Sequence, residues 1–581
     1  MKSLDPQIEQ KIDSWLNGNY DDETKAAIRK KLDNEEYQEL TDAFYKDLEF
    51  GTGGLRGIMG VGSNRVNKYT FGMATQGFSN FLRKNYPDDE QIKVVIAHDC
   101  RNNSEELAQV VADVFSANGI YVYLFEGLRP TPELSFAIRE LDCHGGVMLT
   151  ASHNPKEYNG YKAYDEHGCQ LVSPQDKSVM EEVQQIEDIN DVRFEGVSKN
   201  IESIGKEIDE KYLDALMDVS LSGDAISRQN DLSIVFSPIH GTSGVMVPPA
   251  LKRYGFKNVT LVEEQMTYDG DFPTVEYPNP EEKEALTMAL NKAKEIDAEL
   301  VMATDPDADR VGIAIKDHHD EWVLLNGNQT GALIINYVLN AWQEADKLDG
   351  DEYIVKTIVT SYLIDAIADH YGVECYNTLT GFKYIGELMT ELEDKKQFIA
   401  GGEESYGYLI GDHVRDKDAI VSSVIIAEMA AYYKDQGTSL FNALLDIYLQ
   451  HGYYRENLVS VYKRGREGAE EIQKMLKNYR ENPPEQLAGS DVVVIKDYKT
   501  QKSRNVKTSE TEDIDLPVSN VLQFVTEDET MVTVRPSGTE PKIKFYCSIN
   551  TELTNRTGFD KKTEVLEDKM DTIIQELTEE T

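Results

Sequence analysis

The strongest constraint on the fold is an alternation that recurs three times. Short β-rich runs, IKVVIAH from Ile92, IYVYLF from Ile120 and GGVMLT from Gly145, are separated by helical stretches such as the one holding Leu107, Val110, Val111 and Val114. The pattern returns with LSIVFS from Leu232, VTLV from Val259 and ELVMAT from Glu299. It returns again with YIVKT from Tyr353, VECYN from Val373 and QFIAGG from Gln397. Strands joined by helices pack side by side with the helices on the sheet faces, so α/β units with largely parallel sheets are expected. Three copies of one architecture are implied, although no clear sequence repeat is visible.

The flanks differ. The first stretch reads as helix, with Ile8, Ile12, Trp15 and Leu16 at helical spacing. The tail has scattered strands, VVVIK from Val492, MVTVR from Met531 and IKFYC from Ile543, then a closing helix near Lys561 to Leu577, and reads as α+β. A chain of 581 residues holds about four domains at roughly 150 residues each. The expected divisions are 1–205, 206–325, 326–453 and 454–581.

Composition matters mainly through charge. With 59 Lys+Arg against 104 Asp+Glu, a net charge of −45 argues against nonspecific binding to nucleic acid or an anionic membrane, and no such partner is expected. An anionic substrate must then meet a locally basic pocket. The opening MKSLDPQIEQ has no apolar signal-type core and no apolar run approaches about 18 residues, so a cytoplasmic protein is expected. Five widely spaced cysteines without a C-x-x-C pair indicate neither a disulfide framework nor a cysteine zinc site.

Four polar segments carry chemistry, one in each expected domain, and open α/β sheets place ligands at such strand ends. TASHNPKEYNGYK, Thr150 to Lys162, follows GGVMLT and contains Ser152, which read alone is a turn or cap residue. No G-x-S-x-G elbow surrounds it. Adjacent side chains in an extended loop diverge, so His153 is expected to cap or pack rather than act as a base. TDPDADR, Thr304 to Arg310, sets Asp305, Asp307 and Asp309 at alternate positions, which suits a hard, oxygen-loving cation. An EF-hand is excluded because Arg310 and Lys316 stand where it needs Gly and Glu. A solvated acidic turn is the plainer alternative, but Arg310 beside the acids makes sense if a phosphate bridges it to a metal.

GGEESYGY, Gly401 to Tyr408, with VRDKDA from Val414, offers Glu403 and Ser405 to sugar hydroxyls and Lys417 to a phosphate or a hydroxyl proton; a capped glycine turn also explains it. RPSGTEPK, Arg535 to Lys542, can surround a phosphate with guanidinium, hydroxyl and backbone N–H donors, or be a polar hairpin. GTGGLRG, Gly51 to Gly57, has the wrong glycine spacing for a dinucleotide loop, which leaves Arg56 as an anion contact.

Serine loop, metal loop, sugar loop and phosphate loop in this order resemble the α-D-phosphohexomutase superfamily, and within it the phosphoglucomutase and phosphopentomutase-like branch. The resemblance runs from GTGGLRG to RPSGTEPK, and TASHNP and DPDADR are its most specific strings. It implies a four-domain heart-shaped architecture, three similar mixed α/β domains plus a C-terminal α+β domain. Ser152 would carry a phosphoryl group, and Asp305, Asp307, Asp309 and one oxygen on Ser152 would hold Mg²⁺. Arg56, Lys162, Asp309 and Arg310 would line the catalytic side. Thr380 and Gly381 of LTGFKYIG, with Glu403, Ser405 and Lys417, would hold the sugar, and Arg535, Ser537, Gly538 and Thr539 would clamp the phosphate not being transferred.

A phosphoserine near −2 with three carboxylates totals about −5, and Mg²⁺ returns +2, so roughly three negative charges must be balanced by Arg310, Lys162 and their neighbours. Lys162 is the first candidate base and Lys417 the second. The implied reaction interconverts α-D-glucose 1-phosphate and glucose 6-phosphate through glucose 1,6-bisphosphate, which turns end over end as the last domain swings. GEES rather than GEMS favours glucose over a dual mannose/glucose role. GEESYGY and RPSGTEPK also resemble phosphopentomutases, which leaves ribose or deoxyribose 1-phosphate as the alternative. Phosphomannomutase, sugar-bisphosphate synthase and a non-catalytic phosphosugar sensor follow.

Overall fold

The computed structural model describes residues 4–48, 50–51, 54–89, 91–463, 465–537 and 542–579. Its strands form four sheets, each drawn from one stretch of sequence. The first contains β1 (Phe50–Gly51), β2 (Gly54–Ile58), β3 (Lys93–His98), β4 (Tyr121–Phe125), β5 (Gly146–Leu149), β6 (Tyr158–Tyr164) and β7 (Ile201–Ile204). The second contains β8 (Ile234–Ser237), β9 (Val259–Leu261), β10 (Leu300–Thr304), β11 (Val311–Lys316) and β12 (Trp322–Leu324). The third contains β13 (Glu352–Thr357), β14 (Glu374–Thr378), β15 (Gln397–Gly402) and β16 (Tyr408–Ile410).

These three sheets share one plan. Each contains a parallel trio in the order second, first, third, and then a fourth strand antiparallel to the third: β4-β3-β5-β6, β9-β8-β10-β11 and β14-β13-β15-β16; in the first sheet β7 adds a further parallel strand beside β4. Helices Ser104–Ala117 and Thr131–Glu140, and their counterparts, make the crossovers that parallel neighbours require. Central strands between helical layers are buried on both faces, as β10 is along its whole length. The expected repeat is therefore present in topology. The expectation of largely parallel sheets needs correction, because antiparallel strands flank each parallel trio; in the first sheet β5-β6, β6-β2 and β2-β1 are all antiparallel. A short polar loop between the third and fourth strands can only return the chain antiparallel.

The fourth sheet is antiparallel throughout and gathers the scattered tail strands. It holds β17 (Tyr453–Tyr462), β18 (Gln486–Leu487), β19 (Ser490–Asp497), β20 (Lys502–Asn505), β21 (Thr511–Asp513), β22 (Leu522–Thr526), β23 (Met531–Pro536) and β24 (Lys542–Thr551). The closing helix, Phe559–Glu579, packs its Leu566, Met570, Ile573 and Leu577 into a core that runs on through the second and third units. Three N-terminal helices, Pro6–Asn17, Asp22–Asp33 and Tyr37–Phe44, share a smaller core around Trp15. Among the described residues no helix is long and apolar enough to cross a membrane. All five cysteines are free, with Cys143, Cys169 and Cys547 buried as packing residues.

Candidate active site

The polar loops between the third and fourth strands of the first three sheets each pass through a non-glycine residue with left-handed backbone: Ser152 at φ 52°, Ala308 at 56° and Tyr406 at 67°. Such a conformation costs about 1–3 kcal/mol and persists only where the surroundings over-determine it. They do so here. The Ser152 N–H donates to Thr150 Oγ1 at 2.8 Å, and its carbonyl accepts from Arg101 Nη2 at 2.7 Å. Ala419 N–H donates to the Ala308 carbonyl at 3.1 Å, and Val311 N–H to the Tyr406 carbonyl at 3.0 Å, which ties the second loop to the third.

Ser152 is buried and its Oγ donates to Asp305 Oδ2 at 2.9 Å. Asp305 Oδ1 accepts the backbone N–H groups of Asp309 and Arg310, so the acidic loop closes on its own first carboxylate. Asp307 Oδ2 accepts from Thr131 Oγ1 at 2.9 Å and Lys162 Nζ at 2.7 Å. Asp309 Oδ2 is met by Lys162 at 3.2 Å and Lys417 at 3.1 Å. The remaining oxygens, Asp307 Oδ1 and Asp309 Oδ1, are buried without a hydrogen-bond partner among the described residues. One oxygen from each carboxylate fits within a 4.8 Å cluster. Hard all-oxygen donors with orphaned lone pairs fit a small divalent cation.

The electrostatics agree. Burial, with Asp309 and Asp307 alongside, pushes the Asp305 carboxyl well above the usual carboxylate range. Burial opposes the charge on Asp309 too, but Lys417, Lys162 and Arg310 hold its carboxyl below that range. Desolvation works against the Lys162 and Lys417 ammoniums; Asp307 and Asp309 for the first, and Asp309 and Asp416 for the second, overcome it and hold both above the usual lysine range. Both candidate bases are thus firmly protonated here. Arg310 pairs with Glu281 and approaches Asp309 Oδ1 at 3.8 Å. Arg56 in β2 faces Gly160 of β6 and donates to Asn154 Oδ1 at 3.0 Å, beside the serine.

The third sheet supplies a different surface. Glu403 Oε1 accepts the Gly381 N–H at 2.9 Å, and Gly381, at φ 120°, opens helix Phe382–Leu392 with a backbone that side-chain-bearing residues rarely adopt. Thr380 Oγ1 is buried and unpartnered among the described residues, and Ser405 lies half-buried in the same turn as Glu403. The Lys417 stem crosses Gly407 so closely that a Cβ there would sit 2.1 Å from Cδ. In the fourth sheet Arg535 pairs in register with Lys544, and Ser537 N–H donates to the Lys542 carbonyl at 2.8 Å. Gly538 and Thr539 lie outside the described residues.

One reading of the sequence changes, and two residues had drawn no reading. His153 does not diverge from its neighbour: Nδ1 lies 3.1 Å from Ser152 Oγ, because the left-handed turn at Ser152 breaks the side-to-side alternation of extended chain. Burial, then Arg310 and Arg56, hold that imidazole well below the usual histidine range, so it is uncharged. Arg101 was missed altogether. Its guanidinium holds the carbonyls of Ser152, Pro155 and Tyr158 and pairs with Asp99, which shapes the serine loop. Its position just past the end of β3 was the available signal. Lys544 was also missed. Burial, then Lys542 and Arg535, push its ammonium below the usual range, and it is close enough to Glu404 and Arg310 to feel their charges.

Topology and serine–aspartate centre together define a class, the phosphosugar mutases of the α-D-phosphohexomutase superfamily. Family profiles described as "Phosphoglucomutase/phosphomannomutase, alpha/beta/alpha" domains I, II and III match residues 47–190, 210–318 and 326–448. A phosphoglucomutase of Staphylococcus haemolyticus is 36% identical over 545 residues, 93% of this chain and 96% of that protein. One of Staphylococcus aureus is 38% identical over 513 residues, 88% of this chain and 91% of that protein. The chain belongs to the phosphoglucomutase/phosphomannomutase family. The crystal structure of Paramecium parafusin, a phosphoglucomutase, superposes with a TM-score of 0.66 at 19% identity, covering 92% of this chain and 96% of that one, and shows the shared fold. A family member from Burkholderia thailandensis gives 0.65 at 19% identity, covering 91% and 97%.

Proposed function

We propose that this mutase interconverts α-D-glucose 1-phosphate and glucose 6-phosphate, with Ser152 as the phosphoryl carrier and glucose 1,6-bisphosphate as the bound intermediate. The observation that carries the reading is the Ser152 hydroxyl 2.9 Å from Asp305 inside the aspartate trio, with the sugar and phosphate loops drawn from the other two sheets. The glucose assignment draws support from GEES and from the phosphoglucomutase names of the staphylococcal relatives. Division at 205/206, 325/326 and 453/454 gives each loop its own domain.

Mg²⁺, when held by Asp305, Asp307, Asp309 and an oxygen on Ser152, supplies charge neutralisation for the transferring phosphoryl group. Around it the chain's own charges match the tally. About three negative charges remain once phosphoserine, trio and metal are summed, and three cations, Lys162, Lys417 and Arg310, reach the aspartates. Glu403, Thr380 and Ser405 bind sugar hydroxyls; Arg535, Ser537, Gly538 and Thr539, with Lys544, clamp the distal phosphate. The phosphoryl group passes from Ser152 to a sugar hydroxyl: the new sugar O–P bond forms as the Ser152 Oγ–P bond breaks, the hydroxyl proton goes to a base, and the freed Ser152 oxygen takes up a proton. Lys162 or Lys417 fills that role only after surrendering its aspartate contacts. In the return step the bisphosphate has turned over, Ser152 Oγ attacks its other phosphate while the uncharged His153 is placed to take the serine proton, and the departing sugar oxygen recovers a proton from the base as its bond to phosphorus breaks.

The test is turnover of glucose 1-phosphate, mannose 1-phosphate and ribose 1-phosphate with Mg²⁺ and a trace of the matching bisphosphate, with mass measurement of the protein. Fastest turnover on glucose and a phosphoryl adduct absent from Ser152→Ala are expected. Preference for ribose moves the assignment to a phosphopentomutase. Net formation of bisphosphate from another donor makes the protein a bisphosphate synthase.

A further inference from the structure

At the other end of β11 from the aspartate trio, the β11–β12 turn meets the start of the last helix, and three potential metal ligands converge there. Asp317 organises the turn from within: its Oδ1 accepts the N–H groups of His319 at 2.8 Å and Glu321 at 3.0 Å, and its backbone N–H donates to the Glu321 carbonyl at 2.9 Å. With Asp317 occupied and Lys316 paired to Asp297, His318 and His319 project outward together. His318 is further set by stacking on Phe441, centroids 5.4 Å apart, and by an edge contact with Phe559. Both imidazoles aim Nε2 at one carboxylate, Asp560, at 3.2 Å and 3.4 Å. One ligand atom from each of the three lies within 4.8 Å of the others.

An acid in the first turn of a helix needs no metal to be favourable, and a pair of N–H···O contacts would draw the rings to it. Two features go further. Sequence-adjacent side chains ordinarily separate, yet here both present the same ring nitrogen to one point. The spacings also match a metal polyhedron, since ligands about 2.0–2.1 Å from a tetrahedral ion stand roughly 3.3 Å apart. Two imidazoles and a carboxylate are borderline donors that suit Zn²⁺ and disfavour Mg²⁺, whereas the all-oxygen trio of the active site suits the harder ion.

We propose that His318, His319 and Asp560 form a second metal site, specific for zinc-class divalent ions, that clips the turn of the second sheet to the final helix beside the fourth. Water completes its coordination, because His319 and Asp560 remain open to solvent. The site stands on its own residues and does not depend on which sugar the enzyme uses.

The experiment is calorimetric titration of the full chain with Zn²⁺ in excess Mg²⁺, repeated with Co²⁺ for its absorption bands. It compares wild type with His318→Gln/His319→Gln, Asp560→Asn and, as a control for the catalytic centre, Asp305→Asn. Wild type and Asp305→Asn are expected to take up one Zn²⁺ equivalent that the other two lack, and imidazole-ligated Co²⁺ bands disappear with them. Loss of a direct ligand should weaken this equivalent by more than the roughly 10- to 100-fold that an outer-shell loss costs. Circular dichroism of the surface variants should match wild type. Identical stoichiometry and affinity in the histidine variant, or loss of the equivalent in Asp305→Asn alone, overturns the proposal and leaves the cluster an ordinary hydrogen-bonded contact.

Discussion

The two sides of the catalytic centre are finished to different degrees. On the side built by the first two sheets, most charges have a partner inside the protein: Asp307 and Asp309 are met by Lys162 and Lys417, and Arg101 holds the serine loop through its carbonyls. On the side built by the third and fourth sheets, groups await one. Thr380 Oγ1 is buried without a hydrogen bond among the described residues, and Lys544, beside the Tyr546 ring, has its ammonium pushed below the usual range by burial and then by Lys542 and Arg535. Under the proposed function the chemistry is preorganised, while substrate recognition is completed by the ligand. A carrier of mobile phosphoryl groups needs a fixed electrostatic frame, whereas a bisphosphate that must turn over needs contacts that can be made, broken and remade.

Mutation separates the halves. Ser152→Ala should lower turnover by at least roughly 10³-fold with the fold intact, as removal of a nucleophile does; a variant keeping a tenth of the rate in a coupled assay would deny the serine its role. Asp307→Asn should cost roughly 10²-fold in Mg²⁺-dependent rate with a shift of only a few degrees in Tm, and comparable losses in both would make that loop structural. On the other side, Lys544→Met should raise KM roughly tenfold, about 1.4 kcal/mol of ground-state binding, with a smaller change in kcat. A pure kcat effect there would erase the contrast. Thr380→Val should raise KM severalfold without loss of Tm, since no existing hydrogen bond is removed.

The seam between the third and fourth units supplies the smallest expected effect. Burial of the Glu456 carboxyl, on β17 beside Ser361 and with Oε1 unpartnered among the described residues, pushes it up to about 7. The native state binds this proton more tightly than the unfolded chain, so the contribution of this group to stability is fully present below the ordinary glutamate range and is lost as pH rises through about 7. Glu456→Gln should therefore raise Tm at pH 8 relative to wild type, with the gap closing near pH 4.5. Equal Tm differences at both pH values would show that this carboxyl does not titrate as its burial requires.

Much of the architecture was legible because parallel strands buried on both faces read as apolar runs and helices mark the intervals: GGVMLT, ELVMAT and QFIAGG all became the third strand of a sheet. The return strands were less so. Lys162 lies on β6 within TASHNPKEYNGYK, a polar string with no strand signature, whose pairing comes from β5 and β2 on either side. The closeness of the aspartate trio was legible from its spacing, because carboxylates at alternate positions of one short loop can meet without help from the rest of the fold. Arg101 and His153 were not, since the role of each depends on where a left-handed turn at Ser152 points its neighbours.

By itself the sequence determined which residue types could meet a phosphate, a sugar and a divalent ion, and in which loops, because local spacing and strand ends decide these. Only the tertiary structure decided which of them meet one another. Lys162 and Lys417, more than two hundred residues apart along the chain, share Asp309, and their aspartate partners, with Asp307 added for Lys162 and Asp416 for Lys417, hold them charged against burial. The physical reason is that burial and Coulomb energy depend on distance in space, which no local pattern encodes.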